Sequence, residues 1–160
     1  MTSISASSLR IVHGLPELLA LKGQHVGTSG WMAITPQMVQ AFADSTGDRQ
    51  WIHLDAERAA KESPFGGTIA HGFLTLSLLP ALSASTLSVQ GTRMSINYGL
   101  NRVRFTAPVR VGKRVRLHLE SADMEPERDG SVKMTWRSTI EIENEAKPAC
   151  VAETLAKYYF

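Results

Sequence analysis

The chain has 160 residues and one cysteine, Cys150, so no internal disulfide can form. Cys150 lies among small and apolar residues in a strand-like stretch, which favours a buried structural thiol over a nucleophile and is consistent with a reducing compartment. An excess of charge of one sign is also lacking: 17 basic and 15 acidic side chains leave a formal net charge of +2. That is too little to mark a nucleic-acid binder by electrostatics alone, so any anionic partner should meet a local patch. No run approaches the ~18 apolar residues that a bilayer span requires. The Leu18 to Leu21 run is short and follows Pro16-Glu17, and Met1 to Arg10 is serine-rich without an early basic cluster. Both make a poor signal peptide. The expectation is a soluble cytoplasmic protein, one domain over 1–160 with a loose leader over 1–10, and no nucleic-acid or membrane partner. His53, Asp55, Glu62 and His71 show no recognised metal-ligand spacing, so no metal is expected.

What the chain does have is clear periodicity. A short helix is expected over Leu15 to Lys22, stopped by Gly23. Thr35-Pro36 begins a better one, with Thr as N-cap and Pro in the first turn, and Met38, Val39, Phe42 and Ala43 at helical spacing. Thr46-Gly47 ends it. Asp55 should cap a third helix, Ala56 to Glu62, before the open loop Ser63-Pro64-Phe65-Gly66-Gly67. From His71 to about Ser88 apolar residues fall on every side of a helical wheel, which requires a helix surrounded by protein, kinked near Leu76 by Pro80. The second half has a two-residue period. Val115, Leu117 and Leu119, then Val132, Met134, Trp136, Ile140 and Ile142 mark two strands with one dry face, joined through the Asp129-Gly130 turn. In Met94 to Phe105 the apolar positions shift from even to odd, which predicts a bulge near Gly99 to Arg102. Cys150 to Phe160 is expected as a strand and Gly27 to Ile34 as the first one, about five in all.

The chemistry concentrates in Gly47-Asp48-Arg49-Gln50-Trp51-Ile52-His53 and Ala70-His71-Gly72. On one continuous helix Asp48 and His53 would point about 140° apart, so they converge only from a loop, which Gly47 and the Asp55 cap favour. Ordinary pKa values near 3.9 and 6.5 suit an aspartate base and a histidine acid acting on one water. A bland reading also fits: Asp48 ends a helix and His53 sits on the surface. Gly72 adds unpaired backbone N–H groups at a helix start, which can stabilise an oxyanion on a bound carbonyl that glycine lets approach closely.

Phe42, Gly47-Asp48, Ile52-His53 and Ala59, then Phe65-Gly66 and Ile69-Ala70-His71-Gly72-Phe73-Leu74, then Val103-Arg104-Phe105, Pro108-Val109 and Gly112 carry a resemblance over roughly residues 30 to 120. They resemble the MaoC-type (R)-specific enoyl-CoA hydratases, the hydratase 2 family, and most of all its bacterial branch with NodN-like proteins. The resemblance implies an α+β hot-dog fold, a curved antiparallel five-stranded sheet wrapped around a central apolar helix. It implies a lyase of fatty acid metabolism that hydrates trans-2-enoyl-CoA to (R)-3-hydroxyacyl-CoA, or dehydrates it in reverse. Asp48 and His53 would activate the water and the Gly72 N–H would bind the thioester oxygen. No cofactor is implied beyond the coenzyme A that carries the substrate, because the thioester is itself the electron sink. The family commonly has Asn-Pro where this chain has Gln50-Trp51; Gln50 could still donate an amide hydrogen bond, and Trp51 either lines an acyl channel or packs the loop. Arg102 and Arg104, in a basic run with Arg110, Lys113, Arg114 and Arg116, are candidate contacts to coenzyme A phosphates or to an acidic acyl carrier protein. A homodimer joined edge to edge is implied. The alternatives are a hot-dog acyl-thioesterase and a non-catalytic acyl-CoA-binding hot-dog subunit.

Overall fold

The structure, a computed structural model, describes residues 8–160. Residues 1–7 of the expected leader lie outside the described residues, and its last member, Arg10, is not loose but begins a strand. β1 (Arg10–His13) leads into α1 (Gly14–Leu19), followed by β2 (His25–Thr28) and β3 (Met32–Ala33). α2 (Pro36–Thr46) starts as its residues dictate: the Thr35 hydroxyl accepts the Met38 N–H at 3.2 Å. Gly47 ends it at φ +81°, a left-handed conformation that glycine adopts without strain, and its N–H closes onto the Ala43 carbonyl. A single helical turn, α3 (Trp51–Leu54), then precedes α4 (Ala56–Glu62), capped by Asp55 through the Arg58 N–H at 2.9 Å.

The expected long apolar helix is two short ones, α5 (Gly72–Ser77) and α6 (Leu79–Ala84), separated at Leu78. Pro80 has no N–H to offer the Leu76 carbonyl, which is why the ladder breaks there. The helix also ends earlier than expected. Thr86 turns its hydroxyl back to the Leu82 carbonyl, and Leu87 and Ser88 belong to β4 (Leu87–Gln90), which pairs in parallel with β1. Nor is the helix covered on all sides. Leu74, Leu78, Leu79 and Leu82 are buried, whereas Phe73 is 68% exposed.

The main sheet comprises β5 (Met94–Phe105), β6 (Arg114–Pro126), β7 (Val132–Ile142) and β8 (Cys150–Tyr159) together with β2 and β3. It is antiparallel in the order β2-β6-β7-β8-β5, with β3 also on β6. The expected first strand is therefore split, giving six strands rather than five. The cause lies at Ser29, whose hydroxyl accepts the Leu117 N–H at 2.8 Å, a bond that a strand carbonyl would otherwise take. The alternation of β6 and β7 is as expected: Val115, Leu117, Leu119, Met134, Trp136, Ile140 and Ile142 are buried on the face that meets α6. Asp129-Gly130 makes the connecting turn, with Gly130 at φ +79°. The β5–β8 register shifts at Asn97/Gly99 and Leu100/Arg102, where the change of phase predicted it. Burial pushes the Cys150 thiol up to about 11, so it is an inert part of this core. α5–α6 against the sheet is the hot-dog arrangement.

Ile140 has no exposed surface. Ile140→Ala should cost ~2–5 kcal/mol of unfolding free energy, read as a lower denaturation midpoint at unchanged slope.

Candidate active site

Three short segments meet beside the start of α5. The left-handed turn at Gly47 puts Asp48 on an exposed loop, where its Oδ1 accepts the Gln50 N–H at 3.4 Å. The Gln50 carbonyl in turn accepts the His53 N–H at 3.0 Å, closing the turn that holds His53 inward. The third segment, Thr68 to Ala70, is extended. Its Ile69 N–H donates to the Ile52 carbonyl at 3.0 Å, and its Ala70 N–H donates to the Val109 carbonyl at 2.8 Å.

His53 is buried, and its Nδ1 donates to the Ile69 carbonyl at 2.7 Å. A carbonyl only accepts, so Nδ1 carries the proton and Nε2 keeps the lone pair. His71, 2% exposed, stacks on His53 with ring centroids 3.8 Å apart and donates from Nε2 to the Asp48 carbonyl at 3.0 Å. Phe42 from α2 also packs against the His71 ring, tilted by 49° with centroids 5.0 Å apart. The His71 Nδ1 is buried without a partner among the described residues. Burial holds the His53 pKa below its ordinary 6.5; the Ile69 bond and the Asp48 charge oppose the shift and His71 adds to it. His53 is thus neutral near pH 7, with its lone pair available.

The side-chain donor atoms of Asp48, His53 and His71 all lie within 4.8 Å of one another. Their arrangement suits a shared water better than a metal ion. Imidazole binds a metal in the plane of its ring, and two rings stacked at 27° direct their lone pairs along nearly parallel planes instead of toward one point.

Gly72 is the first residue of α5 and follows His71 directly. The first N–H groups of a helix have no intrahelical acceptor. A Cβ at Gly72 would lie 2.7 Å from Phe105 Cδ2, so an aromatic ring of β5 takes the space that the missing side chain leaves.

Comparison with known proteins gives the same assignment as the residues do. The MaoC like domain family matches residues 18–143. The chain belongs to the MaoC-like dehydratase family. It is similar to 3-hydroxyacyl-thioester dehydratase Z of Mycobacterium tuberculosis, 51% identical over 94% of this chain and 99% of that protein. It is also similar to nodulation protein N of Rhizobium meliloti, 47% identical over 89% of each chain. Among solved structures it resembles the unliganded R-hydratase PhaJ1 of Pseudomonas aeruginosa, with TM-score 0.65 and 31% identity over 84% of this chain and 81% of that one. The family supports a dehydratase or hydratase. No helix among the described residues is long and apolar enough to cross a membrane.

Within this MaoC-like domain the structure sorts the expected site residues. Asp48, His53 and Gly72 lie around one short stretch of chain. Gln50 contributes through its backbone, to Asp48 on one side and His53 on the other. Trp51 lies under the Arg58 guanidinium, 4.3 Å from the ring centroid, and does not line the large cavity described below. Arg102 and Arg104 alternate with Val103 and Phe105 on β5; Arg104 bends back to the Val103 carbonyl, and neither joins the cluster. Arg114 and Arg116 are held by Glu143 and Glu141 across the β6–β7 ladder. Sequence reasoning took His71 only as part of a helix opening. Its signal was a polar ring placed directly before an apolar helix. The Ile69 carbonyl is backbone and carries no sequence signal.

Gly72→Ala should force the Phe105 ring to move, destabilising the fold by ~1–3 kcal/mol as overpacking does. Phe105→Ala in the same chain should recover most of that loss in a denaturation curve; failure to do so would place the strain elsewhere.

Proposed function

We propose that this protein adds water reversibly to a trans-2-enoyl thioester, giving the (R)-3-hydroxyacyl thioester, with the substrate carried on coenzyme A. The observation that carries this reading is the convergence of the Asp48 carboxylate and a neutral His53 whose proton is fixed on Nδ1. A water held between them donates one hydrogen to the carboxylate and the other to Nε2. As its oxygen attacks C3, Nε2 takes the proton and the electrons of the double bond move to the thioester, whose oxygen lies at the Gly72 N–H. The imidazolium then returns that proton to C2 from the same face, a syn addition that restores the site. Asp48 orients the water and stabilises the transient imidazolium. In this order the histidine serves first as base and then as acid, because burial keeps the resting imidazole in its basic form.

Space for the acyl chain supports the same reading. A cavity of about 700 Å³ lies between α5–α6 and the β5–β8 part of the sheet, walled by Leu76, Leu79, Leu100, Trp136, Leu155 and Tyr158. Leu76 is one helical turn beyond Gly72, so a thioester seated at the helix start can direct its chain along that wall. The relatives named above include a 3-hydroxyacyl-thioester dehydratase and an R-hydratase, which fits the proposed product.

The open edge of the sheet supports a homodimer joined along β5. β5 is twelve residues long and terminal in the strand order, and Met94, Ile96, Tyr98 and Leu100 are exposed along it beside Phe73 and Phe105. An apolar edge of this length needs a partner, and a second β5 supplies one by isologous pairing.

With crotonyl-CoA, wild type should remove the ultraviolet enoyl-thioester absorbance and yield the (R)-3-hydroxy product without releasing free thiol. Asp48→Asn and His53→Ala should each lower kcat by ~10²–10⁴-fold. Release of free thiol would assign a thioesterase instead, and tight acyl-CoA binding without turnover would assign a binding subunit. Because the productive His53 is neutral, kcat/KM should fall on the acid side along a limb whose midpoint lies below 6.5; a midpoint above 6.5 would contradict this role. Sedimentation should give a dimer at micromolar concentration, and Ile96→Lys with Tyr98→Lys should give a monomer.

A further inference from the structure

The two groups that face the proposed water are held to very different degrees. The His53 ring is buried and tied to the Ile69 carbonyl at 2.7 Å. Asp48 sits on an exposed loop just after the helix-ending Gly47, and its own contacts are long. Its N–H donates to the Thr46 hydroxyl at 3.4 Å and its carboxylate accepts the Gln50 N–H at 3.4 Å, distances at which a hydrogen bond is weak. Among the described residues one short bond ties Asp48 down. It is the bond that the His71 Nε2–H donates to the Asp48 carbonyl, at 3.0 Å.

The ring that makes this bond is itself fixed. It is 2% exposed, lies on the His53 ring with centroids 3.8 Å apart, and packs against Phe42, whose carbonyl accepts the Thr46 hydroxyl at 2.8 Å. Its backbone is equally constrained. Ala70 before it donates to the Val109 carbonyl at 2.8 Å, and Gly72 after it opens α5. Packing alone does not account for a histidine at this position. Its Nδ1 is buried without a partner among the described residues, which costs stability that a phenyl ring in the same slot would not lose. What the histidine adds over a phenyl ring is the bond to Asp48.

Resting on the proposed hydration, we propose that His71 is a positioning residue: one edge of its ring holds the Asp48 backbone and one face sets the His53 ring, so that carboxylate and imidazole meet one water in fixed register with the Gly72 N–H. His71 itself touches no reacting atom. Its place in the chain makes the arrangement rigid, because the residue that anchors Asp48 is bonded directly to the one that begins α5. An error of ~1 Å in such an alignment lowers a rate by about 10²-fold.

Three substitutions separate the bond from the ring. His71→Gln keeps an amide donor at the reach of Nε2, His71→Asn keeps one only at the reach of Nδ1, and His71→Phe keeps a ring without a donor. With crotonyl-CoA, His71→Phe and His71→Asn should each lower kcat ~10²-fold at nearly unchanged KM, and His71→Gln should recover about tenfold of that loss. Adding Asp48→Asn to His71→Phe or His71→Asn should cost about tenfold less than it costs in wild type, because the carboxylate is already misplaced. A glutamine variant no more active than the asparagine one, or losses at positions 48 and 71 that simply multiply, would overturn the proposal. Titration of His53 followed by NMR reads the same alignment without turnover. The Asp48 charge favours the His53 imidazolium, so Asp48→Asn should lower the His53 midpoint in wild type and in His71→Gln, and leave it nearly unmoved in His71→Phe and His71→Asn. An equal shift in all four backgrounds would overturn the role of His71. Failure of the hydratase reading alone would leave this pattern intact.

Discussion

The hydrogen bond from His53 Nδ1 to the Ile69 carbonyl is the constraint on which the site depends. At 2.7 Å it fixes the tautomer, directs the remaining lone pair, and ties α3 to the extended segment that leads into α5. That segment is itself clamped, by Ile52 through Ile69 and by Val109 through Ala70. Because Ile69 and His71 are two residues apart, the same strand geometry that presents a carbonyl to His53 brings the His71 ring onto its face. The stacked pair and the Asp48 carbonyl then hold one another, and an imidazole borne on a one-turn helix is tied to the segments around it.

Two environments within a few ångströms divide the roles. Asp48 is exposed on a loop shaped by a left-handed glycine, while His53 is buried, and burial disfavours the charged imidazole. The outcome is a buried imidazole held neutral near pH 7 beside an exposed carboxyl group. Further from the site the molecule is apolar on two sides of α5–α6. One side is the closed core of β6 and β7; the other is the open face along β5, where Phe73 and Phe105 meet edge to face at 5.6 Å. The closed side anchors the helix start. The open side leaves Met94, Ile96, Tyr98 and Leu100 exposed.

Much of this was legible because it is local. Thr35-Pro36, Asp55 and Asp129-Gly130 satisfy or shape the backbone within a few residues, so their effects are written in short spacings. The two-residue period of β6 and β7 survives because one face meets a single continuous core, and the loss of phase in β5 told of a bulge because a strand has no other way to change face. The Asp48 and His53 pair was legible as a motif. The sequence was misleading where a side chain competes with the backbone: Ser29 takes a ladder bond and splits the first strand, and Thr86 with Pro80 shortens the helix that composition alone extends to Ser88.

The sequence by itself determined most element types and the family, since these follow from side-chain type and spacing. Tertiary structure decided the rest. His71 becomes part of the site through a stacking contact across eighteen residues and a hydrogen bond to the Asp48 carbonyl, and the proton on His53 is set by a backbone carbonyl that any residue at position 69 would present. Which arginines are ion-paired depends on where the glutamates fall once β6 and β7 have paired: Glu141 stands opposite Arg116 in the register, and Glu143 meets Arg114 just beyond the end of β7.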